Sequence, residues 1–230
     1  MLLSTLVRKR PRSSWHRSGC MTRNFDFYEY AGIIIPGAVL VMALVWLFPE
    51  SRALFSKEGV TLGELGLFVI IAYAVGHLVQ AVGNSLEWIW WKCWGGWPSG
   101  RVLCGKYLST EQHKRLLEAL RSVVGDADPS KLSEQERLAI VREVYSEVAG
   151  AGKASRVDTF NGNYGLMRGL SAAFVMTFAL AIVTSQSIVA LCVLGVLFML
   201  AIYRMHRFGR HYATELFTQF LAARAKDPTR

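Results

Sequence analysis

The sequence predicts an all-α integral membrane protein with four transmembrane helices, a cytoplasmic helical hairpin between spans two and three, and a helical cytoplasmic C-terminal extension. Three observations predict it. Of 230 residues, 52% are apolar and only 19% are charged, against about 25% charged in soluble domains, and mean hydropathy is +0.28. The apolar residues gather in four blocks. The cations fall almost entirely on one side of those blocks. Four Cys and six Pro exclude a disulfide scaffold and a collagen, and the apolar share excludes a disordered chain. An ordinary soluble enzyme does not fit this composition either.

Residues 1–25 form a basic cytoplasmic N-terminal segment with six Lys and Arg. Its opening MLLSTLV is too short for the apolar core of a signal peptide, and the charges follow it. A mitochondrial transit peptide shares the basic, acid-free composition, but Pro11 and the weak amphipathicity oppose it. Translation beginning at Met21 is a third reading, because MTRNFDFYEY enters the first span directly.

Residues 26–98 hold the first pair of spans. Asp26 with Glu29 has the spacing of a capping box, and Phe25, Phe27, Tyr28 and Tyr30 suit the headgroup layer. Ala31 to Phe48 carries no charge and approaches the ~20 apolar residues a helix needs to cross hydrocarbon. Pro36-Gly37 lies inside it, as a structural kink or as a hinge. Leu65 to Val82 is the second block. Gly63, Gly66, Gly76 and Gly83 on this helix allow close helix approach. Its far end holds Trp88, Trp90, Trp91, Trp94 and Trp97, five of the seven tryptophans, which read as an interfacial anchor.

Residues 99–157 turn polar and predict two amphipathic helices. Ser109 with Gln112 opens the first, with Leu116, Leu117, Leu120, Val123 and Val124 on its apolar face. Ser133 with Glu136 opens the second, with Leu138, Val141, Val144, Tyr145 and Val148 facing inward. So short a hairpin makes a marginal core alone, so it is expected to pack on the membrane domain or on another subunit. Gly150 to Lys153 reads as flexible. Residues 158–203 hold the second pair of spans, Leu170–Thr184 and Ile188–Tyr203, joined by a tight turn at Ser185–Ser187. Residues 204–230 continue the last helix as an amphipathic extension bearing Met205, Phe208, Tyr212, Leu216, Phe217 and Phe220. It has three possible seats: the lipid surface, the central hairpin or a neighbouring chain.

Orientation follows from the cations. Six precede the first span, twelve lie between spans two and three and six follow the last, whereas the first-to-second loop has two and the final turn none. By the positive-inside rule both termini and the central segment are expected to be cytoplasmic, which predicts a multi-pass membrane protein. The net charge of +9 is then explained by orientation and anionic lipid rather than by nucleic acid.

Tyr73, His77, Gln80, Asn84 and Glu87 recur at steps of four and three on one face of the second helix. Polar residues in a span face a bundle interior or a watery cavity. Interhelical gluing ranks ahead, and a pore lining, with His77 titrating near neutrality, is the functional alternative. Arg204 and His211 are separated by six residues, and this resembles the loose Arg-x4–6-His pattern of HEPN ribonucleases; snorkelling to the interface is the plainer account. Cys93, Cys104 and His113 match no common zinc spacing. No phosphate loop, dinucleotide glycine pattern, nucleophile elbow or cofactor motif is present in the sequence, so no catalytic residue and no metal ligand is expected.

The stretches DFYEYAGIIIPG (26–37), GHLVQAVGN (76–84) and RFGRHYATELFTQF (207–220) resemble those of small uncharacterised bacterial four-span membrane proteins, some encoded at antiviral defence loci. The resemblance covers the spans and the tail. It implies a bacterial inner (plasma) membrane location and a membrane-disrupting effector or an accessory, and defines no functional residue. The reading that follows is a non-enzymatic, homo-oligomeric pore-forming or membrane-perturbing component in the lipid bilayer. The alternative is a membrane scaffold or sensor that binds a cytoplasmic protein.

Overall fold

The computed structural model describes residues 27–54, 61–125 and 128–225. The basic N-terminal segment, the Asp26 cap, Phe25 and Lys57 lie outside the described residues, as do the side chains of Phe27, Tyr28, Glu29, Val123 and Val124. Seven α-helices are described: α1 (Phe27–Leu47), α2 (Leu62–Cys93), α3 (Pro98–Leu103), α4 (Thr110–Val124), α5 (Glu134–Gly150), α6 (Ser155–Val183) and α7 (Ile188–Arg224), with a 3-10 turn at Pro49–Leu54. No strand occurs among the described residues. Helices α1, α2, α6 and α7 are long and apolar enough to cross a membrane.

The helix starts are written locally. Thr61 accepts from the Glu64 backbone N–H while the Glu64 carboxylate accepts from the Thr61 N–H, a capping box that opens α2. The expected boxes at Ser109/Gln112 and Ser133/Glu136 both form. Each satisfies two N–H groups that the first turn leaves unpaired.

Glycine sets the spacing of the spans. A Cβ at Gly37 would stand 1.9 Å from the Ala72 carbonyl oxygen, and one at Gly76 would stand 2.1 Å from that of Ile33. Backbone therefore meets backbone where α1 crosses α2, and Pro36-Gly37 sits at that crossing. Gly83 approaches Arg168 and Ala172 of α6 less closely, while a Cβ at Gly63 or Gly66 meets nothing within 4 Å. Helix α6 packs on both α1 and α2, and α7 lies along α6. The turn between α6 and α7 is closed by Ser185 at φ 54° and by Ser187, whose hydroxyl accepts from the Ala190 N–H.

The helical unit built on residues 98–157 is larger than a hairpin. Its core combines Val102 and Leu103 of α3, Leu116 and Leu120 of α4, Ile140, Val141, Val144 and Val148 of α5, Val157 of α6, and Ala213, Leu216, Phe217 and Phe220 of α7. The C-terminal extension thus takes the second of its three expected seats, the central hairpin. On α5, Ile140 replaces Leu138 and Tyr145 on the buried face; the latter two are 37% and 36% exposed. The stripe 140–141–144–148 meets the α7 aromatics, which leaves 138 and 145 on the flanks. The lead-in to the third span is helical from Ser155, so α6 joins the two units without a break.

Candidate functional site

The polar line on α2 divides when the chain folds. Ala72, Gly76, Val79, Gly83, Glu87 and Trp91 form the buried edge. Glu87 lies on that edge and Gln80 beside it, whereas Tyr73, His77 and Asn84 occupy an exposed flank. The Tyr73 and His77 rings meet edge to face at 4.7 Å.

A single network ties the inward members to α1 and α6. Arg168 of α6 donates from Nη1 to Glu87 Oε2 at 2.8 Å, and from Nη2 and Nε to Gln80 Oε1 at 3.1 and 3.2 Å. Gln80 in turn donates from Nε2 to the Gly32 carbonyl at 2.6 Å and to that of Gly165 at 3.3 Å. The Tyr164 hydroxyl donates to Glu87 Oε1, and Trp91 Nε1 donates to the Tyr164 oxygen at 2.7 Å. The Glu87 side chain is 6% exposed and that of Arg168 is 24% exposed. A carboxylate so enclosed requires its cation and its hydrogen bonds, because an unpaired buried charge costs several kcal/mol. Gly169 makes room for this network: a Cβ there would reach Gln80 Nε2 at 2.6 Å and Pro36 Cγ at 2.7 Å.

Sequence reasoning treated Arg168 as one more cytoplasmic cation and did not pair it. A signal was present. Arg168 stands two residues before an uncharged apolar block, where an ionisable side chain implies a partner inside the bundle.

Beside the network lies a cavity of about 650 Å³ between the spans and α5, bordered by His77, Glu87, Arg168, Tyr212, Leu138 and Val141. His77 therefore stands at the edge of a hollow as well as on the flank of α2.

The tryptophans also divide. Trp91 is 1% exposed and belongs to the bundle, while Trp88 and Trp94 are 54% and 51% exposed, and Trp97 is half-buried. Trp90, Trp91 and Trp94 surround His206 of α7. The His206 ring stacks on Trp91 at 4.9 Å, lies 4.9 Å from Trp94, and accepts from Trp90 Nε1 at its Nδ1, 3.2 Å away. Composition identified the tryptophan cluster but not the histidine it encloses.

Arg204 and His211 do not converge. The Arg204 guanidinium covers the Phe208 ring at 4.8 Å. His211 stacks on Phe160 at 5.5 Å and accepts from Arg207 Nε at 3.4 Å. The two lie about two turns, or ~10 Å, apart along one helix. Cys93, Cys104 and Cys192 are free and exposed, and no group of three metal-ligating side chains occurs among the described residues.

At the far end of α7, Arg224 grips the hairpin. Its guanidinium donates to both Glu147 oxygens at 2.8 Å and to the Ala119 carbonyl, also at 2.8 Å, and it reaches the Ser122 hydroxyl. The arrangement couples helices: one charge pair joins α2 to α6 and a second joins α5 to the end of α7. Comparison with family models, with curated proteins and with solved structures finds no match, so the geometry described above is what the functional reading rests on.

Proposed function

We propose that this is a non-enzymatic, multi-pass membrane protein that holds a helical platform at the cytoplasmic surface and couples it rigidly to the spans, as a scaffold or sensor for a cytoplasmic protein. The observation that carries this reading is α7. It runs without interruption from Ile188 to Arg224, about 56 Å at 1.5 Å per residue, and its last turns supply Leu216, Phe217 and Phe220 to the platform core with no exposed surface. A displacement of the spans is thereby a displacement of the platform. The Glu87–Arg168 pair supports the same reading, because the most polar members of the α2 line serve interhelical adhesion within one chain.

Spin labels at Ser187→Cys and Thr218→Cys, with native cysteines replaced, test the coupling in lipid nanodiscs. A narrow distance distribution centred near ~46 Å is expected for 31 helical steps. A broad distribution would show that the platform hangs on a hinge and would end this reading.

A second reading, an oligomeric pore, is favoured by one observation: Tyr73, His77 and Asn84 remain exposed on a membrane helix. Polar groups there are costly unless a neighbour or water covers them. Copies pairing along this flank would enclose it. Liposome leakage that falls in His77→Leu/Asn84→Leu supports the pore; absence of any leak from wild type removes it.

A further inference from the structure

Where α2 ends, the chain doubles back through Gly95 and Gly96 into α3, and the start of α5 closes over the bend. Two adjoining hollows result. The larger, about 340 Å³, is bordered by Arg101, Lys106, Arg137 and Trp94. The smaller, about 320 Å³, is bordered by Lys92 and Trp88. Gly96, Trp97 and Glu134 border both. We propose that these hollows form a binding site for the anionic phosphate headgroup of a membrane phospholipid such as phosphatidylglycerol, with the acyl chains lying along the exposed apolar face of α2.

Charge complementarity carries the first part. Lys92, Arg101, Lys106 and Arg137 surround the two hollows, and Glu134 is the one carboxylate bordering them. Two of the cations are fixed in place by carbonyls: Arg101 Nη1 donates to the Trp94 oxygen at 2.9 Å, and Arg137 Nη1 donates to that of Leu132 at 2.7 Å. Each guanidinium keeps further N–H donors, so it can hold a carbonyl and a phosphate oxygen together. Lys92 and Lys106 are exposed; the Lys92 ammonium stands over the Trp88 ring at 4.7 Å, and both add positive charge at the rim.

Position carries the second part. The hollows stand at the end of a helix built to cross a bilayer. Trp88 and Trp94 beside them are more than half exposed, as is Ile89 at 52%. Tryptophan rings left uncovered at the end of such a helix suit the headgroup layer. A soluble phosphate would use the cations and leave the rings and the apolar face of α2 uncovered; a phospholipid covers all three. The volumes fit a single headgroup, being at the small end of ligand pockets.

Native Cys104 borders the larger hollow and provides the reporter. Alkylation of Cys104 is followed by mass spectrometry in full-length protein in neutral detergent, with Cys93 of the same molecule as the internal reference. Added phosphatidylglycerol is expected to slow Cys104 selectively, and phosphatidylcholine is expected not to. Each cation near a membrane surface contributes about fivefold to anionic lipid binding, so Lys92→Gln/Lys106→Gln is expected to raise the lipid concentration for half-protection about 25-fold. Lys114→Gln/Arg115→Gln on α4 is expected to leave it unchanged, which separates a site from general surface charge. Far-UV circular dichroism confirms that each variant is folded, and the two lysine changes spare both carbonyl-bound arginines. Equal protection by the two lipids, or protection of the double variant at the wild-type concentration, overturns the proposal. Protection by inorganic phosphate alone as strong as that by the lipid also overturns it, in favour of a soluble phosphate site.

Discussion

Replacing Arg168 by Met isolates the energetic centre of the bundle. Met keeps the length and apolar stem of the side chain but removes three hydrogen bonds, one to Glu87 and two to Gln80. Removing one partner of a buried ion pair costs about 3–5 kcal/mol, mostly because the other charge is left uncompensated. Glu87 would retain the Tyr164 hydroxyl, and the Arg168 side chain is 24% exposed. Both place the loss at the lower end, about 3 kcal/mol. Gln80→Leu removes two bonds from Arg168 and two to the Gly32 and Gly165 carbonyls but leaves the Glu87–Arg168 ion pair in place. Interhelical hydrogen bonds average about 0.6 kcal/mol in membrane bundles, with a maximum near 1.7, so a loss of about 1–2 kcal/mol is expected. The assay is equilibrium unfolding in mixed micelles of dodecyl maltoside and SDS, followed by far-UV circular dichroism. The expected order is Arg168→Met worst and Gln80→Leu mild. Glu87→Gln/Arg168→Gln should recover at least half of the single-mutant loss, because no charge is then stranded. A loss below about 0.5 kcal/mol for Arg168→Met, smaller than an average neutral bond, would refute the claim that this pair holds the spans together. So would a double variant no more stable than Arg168→Met.

Gly76→Ala should cost about 2 kcal/mol or more, because its Cβ meets backbone that cannot move aside. Gly66→Ala, whose Cβ meets nothing, should be neutral or gain up to about 1 kcal/mol of helix propensity; the same unfolding assay ranks them. Arg224→Met should expose the platform while sparing the spans, seen as faster proteolysis within 109–150 in nanodiscs at an unchanged yield of folded membrane domain. The hydrogen bonds that Ser133 gives the Glu136 carboxylate, through its hydroxyl first and its backbone N–H second, hold that group below the usual carboxylate range. A folded value depressed below the unfolded one contributes stability that is present above the unfolded value and is lost as pH falls through the folded one. Hydrogen exchange at the start of α5 should therefore accelerate in acid beyond its intrinsic pH dependence, and Ser133→Ala, which removes the hydroxyl but keeps the backbone N–H, should shrink that excess.

The four helices long and apolar enough to cross a membrane were legible because each contains a block of uncharged apolar residues. The two platform capping boxes were legible because the chemistry of a helix start is local. The seat of the C-terminal extension was not, since Leu216, Phe217 and Phe220 form a stripe that serves lipid, hairpin or neighbour equally well. Only the tertiary fold, which brings Ile140 and Val144 beneath them, selects one. The α2 line shows the limit more sharply. Helical spacing puts Tyr73, His77, Gln80, Asn84 and Glu87 within one broad arc, but it cannot say which part of the arc faces protein. The glycine edge Gly76–Gly83 decides this by admitting α1 and α6 on one side, which turns Gln80 and Glu87 inward and leaves His77 and Asn84 on the flank. Arg168 and His206 escaped notice for a common reason: each takes its meaning from a side chain many residues away in sequence, Glu87 for one and the tryptophans of α2 for the other.

Membrane topology bears most directly on the whole account. In cysteine-free protein, single cysteines at Ser187, in the turn between α6 and α7, and at Ser133, at the start of α5, are exposed to an impermeant maleimide on intact cells. Labelling of position 187 from outside, and of position 133 only after permeabilisation, is the result expected if four helices cross the bilayer with the platform in the cytosol. Labelling of position 133 on intact cells, or of neither position before permeabilisation and both after it, would contradict that arrangement.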